Sequence, residues 1–243
     1  MKEGWSPEQI AGSIEADKGE RISHEAIYQY VYAQIHRGGN GWVRPGKEDL
    51  RPYLARRHKK RARKGMRKGQ RIFRPNGASI DERPLVVNKR RRIGDWEGDT
   101  IASKNNDIGL NSLVDRKSGL LLLSKLSAKT AEATREVVAR RLANLPSHTL
   151  TVDNGSENRT WEETEKEAGV KVYFAHPYHS WERGSNENTN GLVRRYFPKG
   201  TDFRTVSNEE IAWVEYALNT RPRKRLGYRT PLAVFNEGVA LRS

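Results

Sequence analysis

The sequence contains no cysteine among its 243 residues. This absence excludes disulfide bonds, thiolate nucleophiles, and zinc or iron–sulfur centres with cysteine ligands. Long apolar runs are also missing: the longest, Leu120 to Leu123, has four residues, whereas a membrane-spanning helix needs roughly 20. No apolar signal-peptide core follows Met1. We therefore expect a cytoplasmic protein with no membrane partner.

Acidic residues are absent from the most basic part of the chain. From Arg56 to Arg74 the sequence has eleven Lys or Arg residues and no Asp or Glu, within a chain of net charge +15. Such a block stays extended unless a polyanion neutralises it, and counterion release makes nucleic acid the natural partner. A solvated basic tail is the alternative. The candidate phosphate contacts in this block are Arg56, Arg57, Lys59, Lys60, Arg61, Arg63 and Lys64.

Two short helices are predicted in residues 1–37. Ser6 begins a capping box with Pro7 at the first helical position, and Ser23 can cap a second helix after a glycine-containing turn. This pattern fits a helix-turn-helix DNA-binding arm, whereas an ordinary helical hairpin is the alternative that spacing alone favours.

In a helix-turn-helix, the second helix would read bases in the major groove. Helical spacing then turns Ile27, Tyr30, Val31 and Ile35 inward and leaves His24, Gln29 and Gln34 exposed. Gln29 is the candidate base contact, because its amide can pair bidentately with adenine.

The composition changes near Ile93 to that of a folded domain. Residues 38–92 are rich in glycine and basic side chains, and they predict a mostly extended basic linker with a helical piece at about 50–57. From Ile93 onward the pattern predicts three antiparallel strands, then alternating helices and parallel strands, then two helices. The fold class is therefore α/β, with a mixed sheet flanked by helices at 93–200 and a C-terminal helical extension at 201–243.

Three acids lie where this order places strand ends or a helix face. Asp99 is in the first strand, Asp153 ends the fourth, and Glu187 lies on the helix that follows Pro177. If the first and fourth strands are neighbours, Asp99 and Asp153 can converge, and a helix packed across that edge can bring Glu187. Carboxylates without cysteine suit the hard ion Mg²⁺. Acids at strand ends are common, however, so spacing alone does not establish that these three acids bind a metal ion.

Other acids compete for these positions. Alternation places Glu97 on the same face as Asp99, whereas Asp95 lies only at the start of the strand. Asp115 precedes a turn and is expected to cap it. Glu157 follows an Asn-Gly turn and is expected, at most, to support the metal ligands from behind.

Several motifs resemble those of bacterial insertion-sequence transposases. They read WEGD at 96–99, VDNGSE at 152–157, PYHSWERGSNENTNG at 177–191 and YFPKGTDF at 196–203. The segments WSPEQIA at 5–11, ISHEAIY at 22–28 and NTRPRKRLG at 219–227 resemble the same branch, the insertion sequence thirty family. Members of that family are DDE enzymes with an RNase H-like core related to retroviral integrases.

The resemblance implies a function and its residues. The three family acids fall on Asp99, Asp153 and Glu187, and the 33 residues between the last two are characteristic of this branch. These acids would hold two Mg²⁺ ions per active site, with Mn²⁺ as an alternative. The implied reaction is cleavage at the element's ends and 3′-OH strand transfer into target DNA, by a homo-oligomer on DNA in the bacterial nucleoid.

Further residues near the third acid are candidates for DNA contact. Arg194 and Lys199 flank the helix of Glu187, and either could grip a phosphate or belong to a solvated basic face. His176 and His179 precede that helix, where a phosphate or water contact and a structural role are both open.

The start of the chain suggests a second reading. Members of the branch usually carry another DNA-binding helical segment before the WSPEQ motif, and this sequence begins almost at that motif. A truncated, non-catalytic DNA-binding regulator of the intact transposase is therefore the alternative function. A metal-dependent nuclease without strand transfer is a third.

Overall fold

The structure is a computed structural model that describes residues 1, 3–36, 41–54, 76–104, 106–177 and 179–241. Contacts divide the chain into two units, Met1–Lys68 with Arg221–Thr230, and Gly69–Thr220 with Pro231–Ser243. The basic residues predicted to contact phosphates between Arg56 and Lys64 lie outside the described residues. Across the part that is described, no helix is long and apolar enough to cross a membrane.

The first unit contains the two predicted N-terminal helices, α1 (Pro7–Lys18) and α2 (His24–Ala33). Ser6 Oγ accepts a hydrogen bond from the Gln9 N–H at 3.3 Å, and Gln9 Oε1 accepts one from the Ser6 N–H at 3.0 Å. This is the predicted capping box, whereas Ser23 caps α2 through its hydroxyl alone, which accepts a hydrogen bond from the Ala26 N–H at 3.0 Å. Gly19 ends α1 with φ +69°, a left-handed conformation that glycine adopts without strain.

Two side-chain assignments on α2 are wrong. Gln34, predicted to be exposed, is only 7% exposed, because it lies one residue past the helix and its Nε2 donates to the Tyr30 carbonyl at 2.9 Å. Tyr30, predicted to pack inward, is 62% exposed. Val31 and Ile35 are buried as predicted. Gln29, the candidate base contact, is exposed together with His24.

The second unit begins earlier than the predicted folded domain. Residues 76–92 were expected to belong to an extended linker, but they contain a 3₁₀ helix (Ile80–Glu82) and α3 (Leu85–Asn88). Ile80 and Val87 are buried, and Ser79 forms a parallel bridge with Phe174. The expectation of extended chain is therefore wrong for this stretch, because these apolar side chains leave water. A second 3₁₀ helix, Arg51–Tyr53, stands within the helical piece predicted at about 50–57.

Five strands form one mixed sheet in the order β3-β2-β1-β4-β5. The strands are β1 (Asp95–Ala102), β2 (Gly109–Asp115), β3 (Leu121–Leu126), β4 (Thr149–Val152) and β5 (Lys171–Phe174). The first three are antiparallel, and β4 joins β1 in parallel, as β5 joins β4. This confirms the predicted fold class, an RNase H-like mixed sheet.

Helices cover both faces of this sheet. They are α4 (Ala131–Leu142), α5 (Trp161–Ala168), α6 (Gly184–Tyr196), α7 (Asn208–Asn219) and α8 (Pro231–Ala240). Alternation along β2 places Leu113 in a core cluster with Val138 of α4 and Phe235 of α8. Its neighbour Val114 belongs to a second cluster, which contains Val193 of α6 and Ile211, Val214 and Leu218 of α7. Both faces are buried, which positions α6 across β1 and β2.

Candidate active site

Two of the predicted acids meet on neighbouring parallel strands, where β4 ends beside the middle of β1. The pairing of β1 with β4 aligns Trp96 with Leu150 and Glu97 with Thr151. Continuing this register by two residues places Asp99 beside Asp153. Because β4 ends at Val152, Asp153 is the first residue beyond the strand. The prediction that the first and fourth strands are neighbours is confirmed.

Arg183 lies between these two carboxylates. Its Nη1 is 3.4 Å from Asp99 Oδ1, and its Nη2 is 3.1 Å from Asp153 Oδ2. Nη1 also donates to the Gly98 carbonyl at 3.0 Å, and the side chain is only 13% exposed. One guanidinium therefore offsets the repulsion between two acids that the sheet brings together.

Sequence reasoning did not assign this role to Arg183. A signal was present, because Arg183 and Asn190 are seven residues apart, which is two helical turns, and so share a helix face.

The remaining carboxylate oxygens are held by amides. Asn190 Nδ2 donates to Asp99 Oδ2 at 2.7 Å, while Asn190 Oδ1 lies 2.9 Å from the Ser112 hydroxyl, which fixes the direction of the amide. The Gly155 N–H donates to Asp153 Oδ1 at 2.9 Å, and Asn158 Nδ2 lies 3.2 Å from the same oxygen. Each aspartate is thus oriented from two sides.

Negative charge exceeds positive charge at this edge of the sheet. Burial raises the pKa of Asp99; Arg183 opposes this shift, and the negative charge of Asp153 adds to it. Burial also raises the pKa of Glu157, and the charges of Asp153 and Asp99 contribute in the same direction. Burial lowers the pKa of Arg183, but both aspartates outweigh it, so that pKa is raised. Glu157 therefore lies in the field of the pair, and an added cation would relieve the excess charge.

Glu187 lies apart from this pair. It is exposed on α6 and lines a surface hollow with Gly184, Asn188, Gly191, Leu192 and Arg195. The buried residues of α6 are Asn186, Thr189 and Val193. Among the described residues, Asp99, Asp153 and Glu187 are not a trio whose ligand atoms all lie within 4.8 Å of one another. The structure brings together two of the three predicted acids, with Arg183, and leaves Glu187 on the outer side of the helix.

The acids of β1 and β2 that were alternatives to the predicted metal ligands are paired with other groups inside the fold. Glu97 is fully buried in an ion pair with Arg116, and it also accepts the Asn186 N–H at 2.9 Å. It faces α6 as Asp99 does, which agrees with the predicted alternation. Asp115 accepts hydrogen bonds from the turn that follows it, as predicted. Asp95 is buried and paired with Arg92 at 2.9 Å. Glu97 and Asp95 are therefore neutralised inside the fold by arginines, and Asp115 is held by neutral donors.

The predicted basic contacts near α6 differ in their surroundings. Arg194 is half-buried; its Nη2 donates to the Ala102 carbonyl at 3.0 Å, and its Nη1 lies 3.4 Å from the Pro198 carbonyl. Burial lowers the pKa of Arg194. Its guanidinium therefore holds the end of α6 to β1. Lys199 is exposed. Contact of either residue with DNA stays a prediction.

The fold and the acidic pair define the class of the protein as RNase H-like, with one acid within β1 and the other directly after β4. No family model matches the chain. It is 42% identical over 240 residues to the transposase for insertion sequence element IS4351 of Bacteroides fragilis, covering 98% of this chain and 71% of that protein. It is 39% identical over 247 residues to the transposase InsI for element IS30A of Escherichia coli (strain K12), and the match covers 98% of this chain and 62% of that protein.

A third relative agrees with these two. The transposase for element IS1086 of Cupriavidus metallidurans is 35% identical over 251 residues, with 99% of this chain and 71% of that protein covered. The chain belongs to the IS30 family of insertion-sequence transposases, as its motifs predicted. Among solved structures, the catalytic core domain of BIV integrase is similar with a TM-score of 0.49 and 18% identity, covering 60% of this chain and 96% of that one.

Proposed function

We propose that the chain catalyses cleavage at insertion-sequence ends and 3′-OH strand transfer into target DNA, with divalent metal held by Asp99, Asp153 and Glu187. DNA transposition is the function of the family, and its members give no support to the alternative of a truncated regulator. The observation that carries the chemistry is the convergence of Asp99 and Asp153 on Arg183.

The donor set fits a hard divalent cation. Its members are carboxylates in a cluster with excess negative charge, and oxygen ligands of this kind suit Mg²⁺ and Mn²⁺. When bound, two such ions would activate an attacking oxygen and stabilise the leaving oxygen at a phosphodiester. The same site then serves both steps, because cleavage and strand transfer are in-line displacements at phosphorus.

The side chains around the pair keep it ready for a cation. Asn190 and Asn158 hold one oxygen of each aspartate, so neither carboxylate has to be reoriented. Arg183 balances the pair before any cation is present. Glu187 lies on α6, the helix that crosses β1 and β2, and its position in the family motif supports it as the proposed third ligand.

DNA is the proposed partner, both as element ends and as target. The net charge of +15 supports this, because a polyanion offsets it with release of counterions. Joining two ends of one element to a target requires more than one active site, so we propose a homo-oligomer on DNA.

The test is Asp153→Asn, assayed with oligonucleotides that carry the flanking element ends. The change is nearly isosteric but removes the charge that holds metal. We expect Mg²⁺-dependent cleavage and strand transfer to fall at least 100-fold, while DNA binding and the melting temperature stay near those of the parent protein. Asp107→Asn, at an exposed position after β1, is the matched control. Near-parental activity of Asp153→Asn would overturn the assignment. Nicking without strand transfer by the parent protein would favour a nuclease.

A further inference from the structure

A second cluster of potential metal ligands lies in the loop before α6. His176 follows β5, His179 immediately precedes the 3₁₀ helix Ser180–Arg183, and Glu182 lies within that helix. His176 Nδ1 is 2.9 Å from Glu182 Oε1, and His179 Nδ1 is 3.1 Å from the same oxygen. Ligand atoms of the three residues lie within 4.8 Å of one another, which among the described residues makes them a trio able to hold one ion.

Asp81 provides an independent reason to expect an ion here. Its Oδ2 lies 3.0 Å from His176 Nε2, the ring nitrogen that faces away from Glu182. When an ion takes the place of the proton on Nδ1, this carboxylate can accept the N–H of the outer nitrogen and hold the ring in place, as carboxylates behind metal-bound histidines do. The Glu182 carboxylate is fixed as well, because its Oε2 accepts the His176 backbone N–H at 2.8 Å.

Two of the three distances within the trio are close to those of a tetrahedral site, and the histidine ligand atoms lie within 4.8 Å of each other. Zinc bonds of about 2.0–2.2 Å to nitrogen and oxygen place neighbouring ligand atoms about 3.4 Å apart. The two histidine-to-Glu182 distances are 2.9 and 3.1 Å, so binding an ion would move each histidine nitrogen a few tenths of an ångström away from Glu182 Oε1. The ring of His176 is 38% exposed and that of His179 is 43% exposed, which leaves access for an ion and for a water as fourth ligand.

The ligand types separate this cluster from the aspartate pair. Two imidazoles and one carboxylate select borderline transition ions such as Zn²⁺, whereas Mg²⁺ favours oxygen alone. We propose that His176, His179 and Glu182 bind one divalent transition-metal ion of the Zn²⁺ type, with Asp81 orienting His176. Because Glu182 directly precedes Arg183, the ion would fix the loop that delivers the guanidinium to Asp99 and Asp153. The inference does not depend on the proposed function.

The test uses the full, untagged chain freed of metal with EDTA and carrying Asp153→Asn, so that the aspartate pair is weakened as a competing site. Zn²⁺ is titrated against a chromogenic chelator, and Co²⁺ absorption reports the coordination geometry. We expect the chain to bind one equivalent of Zn²⁺ tightly and to give the intense Co²⁺ absorption that is typical of tetrahedral coordination. His179→Gln and Glu182→Gln should lower the affinity by about 100-fold, and Asp81→Asn by about tenfold. His148→Gln, at an exposed position just before β4, is the control and should change nothing.

Each outcome decides the matter. The parent in this test is the chain that carries Asp153→Asn alone. If it binds no equivalent of Zn²⁺ tightly, or if His179→Gln and Glu182→Gln bind Zn²⁺ as tightly as it does, the proposed site is wrong. A weak, octahedral Co²⁺ spectrum would also overturn it. Melting curves in EDTA show whether each variant folds. If Glu182→Gln does not fold, the Zn²⁺ affinity of His179→Gln, which replaces an exposed side chain, decides the test. Zinc should also raise the melting temperature of the parent and not that of His179→Gln.

Discussion

Asn190 donates its side-chain amide to Asp99 Oδ2 at 2.7 Å, across the contact between α6 and β1. The amide cannot turn freely, because its oxygen lies 2.9 Å from the Ser112 hydroxyl on β2. A neutral donor of this kind orients a carboxylate and leaves its negative charge available to a metal ion, whereas the positive charge of Arg183 competes with the metal ion for the carboxylate. Asn190 is therefore a positioning residue for the acid in β1.

Asn190→Ala should free the Asp99 carboxylate and weaken metal binding. A hydrogen bond to a charged group contributes about 1.5–3 kcal/mol, so we expect about a tenfold higher Mg²⁺ concentration for half-maximal cleavage. Activity should recover at saturating Mg²⁺, which a general loss of folding would not allow. Asn188→Ala, exposed on the same helix, should leave the Mg²⁺ dependence unchanged. An unaltered Mg²⁺ dependence in Asn190→Ala would show that this contact does not position Asp99.

The third acid can be identified by comparing Glu187 with Glu157. The motif assigns Glu187, yet Glu157 is the acid whose pKa is raised by burial and by the charges of Asp153 and Asp99. We expect Glu187→Gln to abolish cleavage and strand transfer, and Glu157→Gln to lower them about tenfold or less. Rates measured over a range of Mg²⁺ and Mn²⁺ concentrations separate the two roles. The reverse ranking would move the third ligand to Glu157 and leave Glu187 on the surface of α6.

Much of the sheet could be predicted because its strands are short apolar runs between turn signals. The pairing of β1 with β4 then followed, and it brought Asp99 and Asp153 together. Arg183 and Asn190 were not assigned, because their role depends on which face of α6 meets the sheet, and that is decided by the packing of Val193 against Val114. Such long-range packing leaves only a weak local signal.

The misassigned residues have local causes. Helical spacing was carried one residue too far at the end of α2, where Gln34 folds back onto the Tyr30 carbonyl. Residues 76–92 look like linker because they follow the basic block and end in four consecutive basic residues at 89–92, and the burial of Ile80 and Val87 shows that this stretch is folded. Two buried apolar side chains are too few to produce a periodic pattern.

Neutralising the basic block should weaken DNA binding regardless of DNA sequence. The change is replacement of Arg56, Arg57, Lys59, Lys60 and Arg61 by glutamine, at positions outside the described residues. Each lost phosphate contact should reduce the slope of log affinity against log salt by roughly 0.9. Filter binding of random duplexes at several salt concentrations measures that slope. A slope equal to that of the parent would mean that this block does not contact the DNA backbone.

The exposed face of α2 tests whether the N-terminal helices read sequence. Gln34 no longer qualifies, because it is buried, so Gln29 carries the prediction together with the exposed His24. A bidentate amide contact to adenine contributes about 1–3 kcal/mol of discrimination. Gln29→Ala should therefore reduce the preference for element ends over scrambled DNA by about fivefold or more, while affinity for scrambled DNA stays nearly constant.

Val31→Ala separates base reading from folding. Val31 is fully buried in the same helix, so its truncation should lower the free energy of unfolding by about 2 kcal/mol, whereas Gln29→Ala should leave the melting curve unchanged. Competition binding at fixed salt gives the preference of each variant. If α1 and α2 form only a helical hairpin, Gln29→Ala will keep the full preference for element ends, and Val31→Ala will still lose stability. Base reading must then be assigned to another part of the chain, because an exposed amide that contacts a base cannot be removed without loss of discrimination.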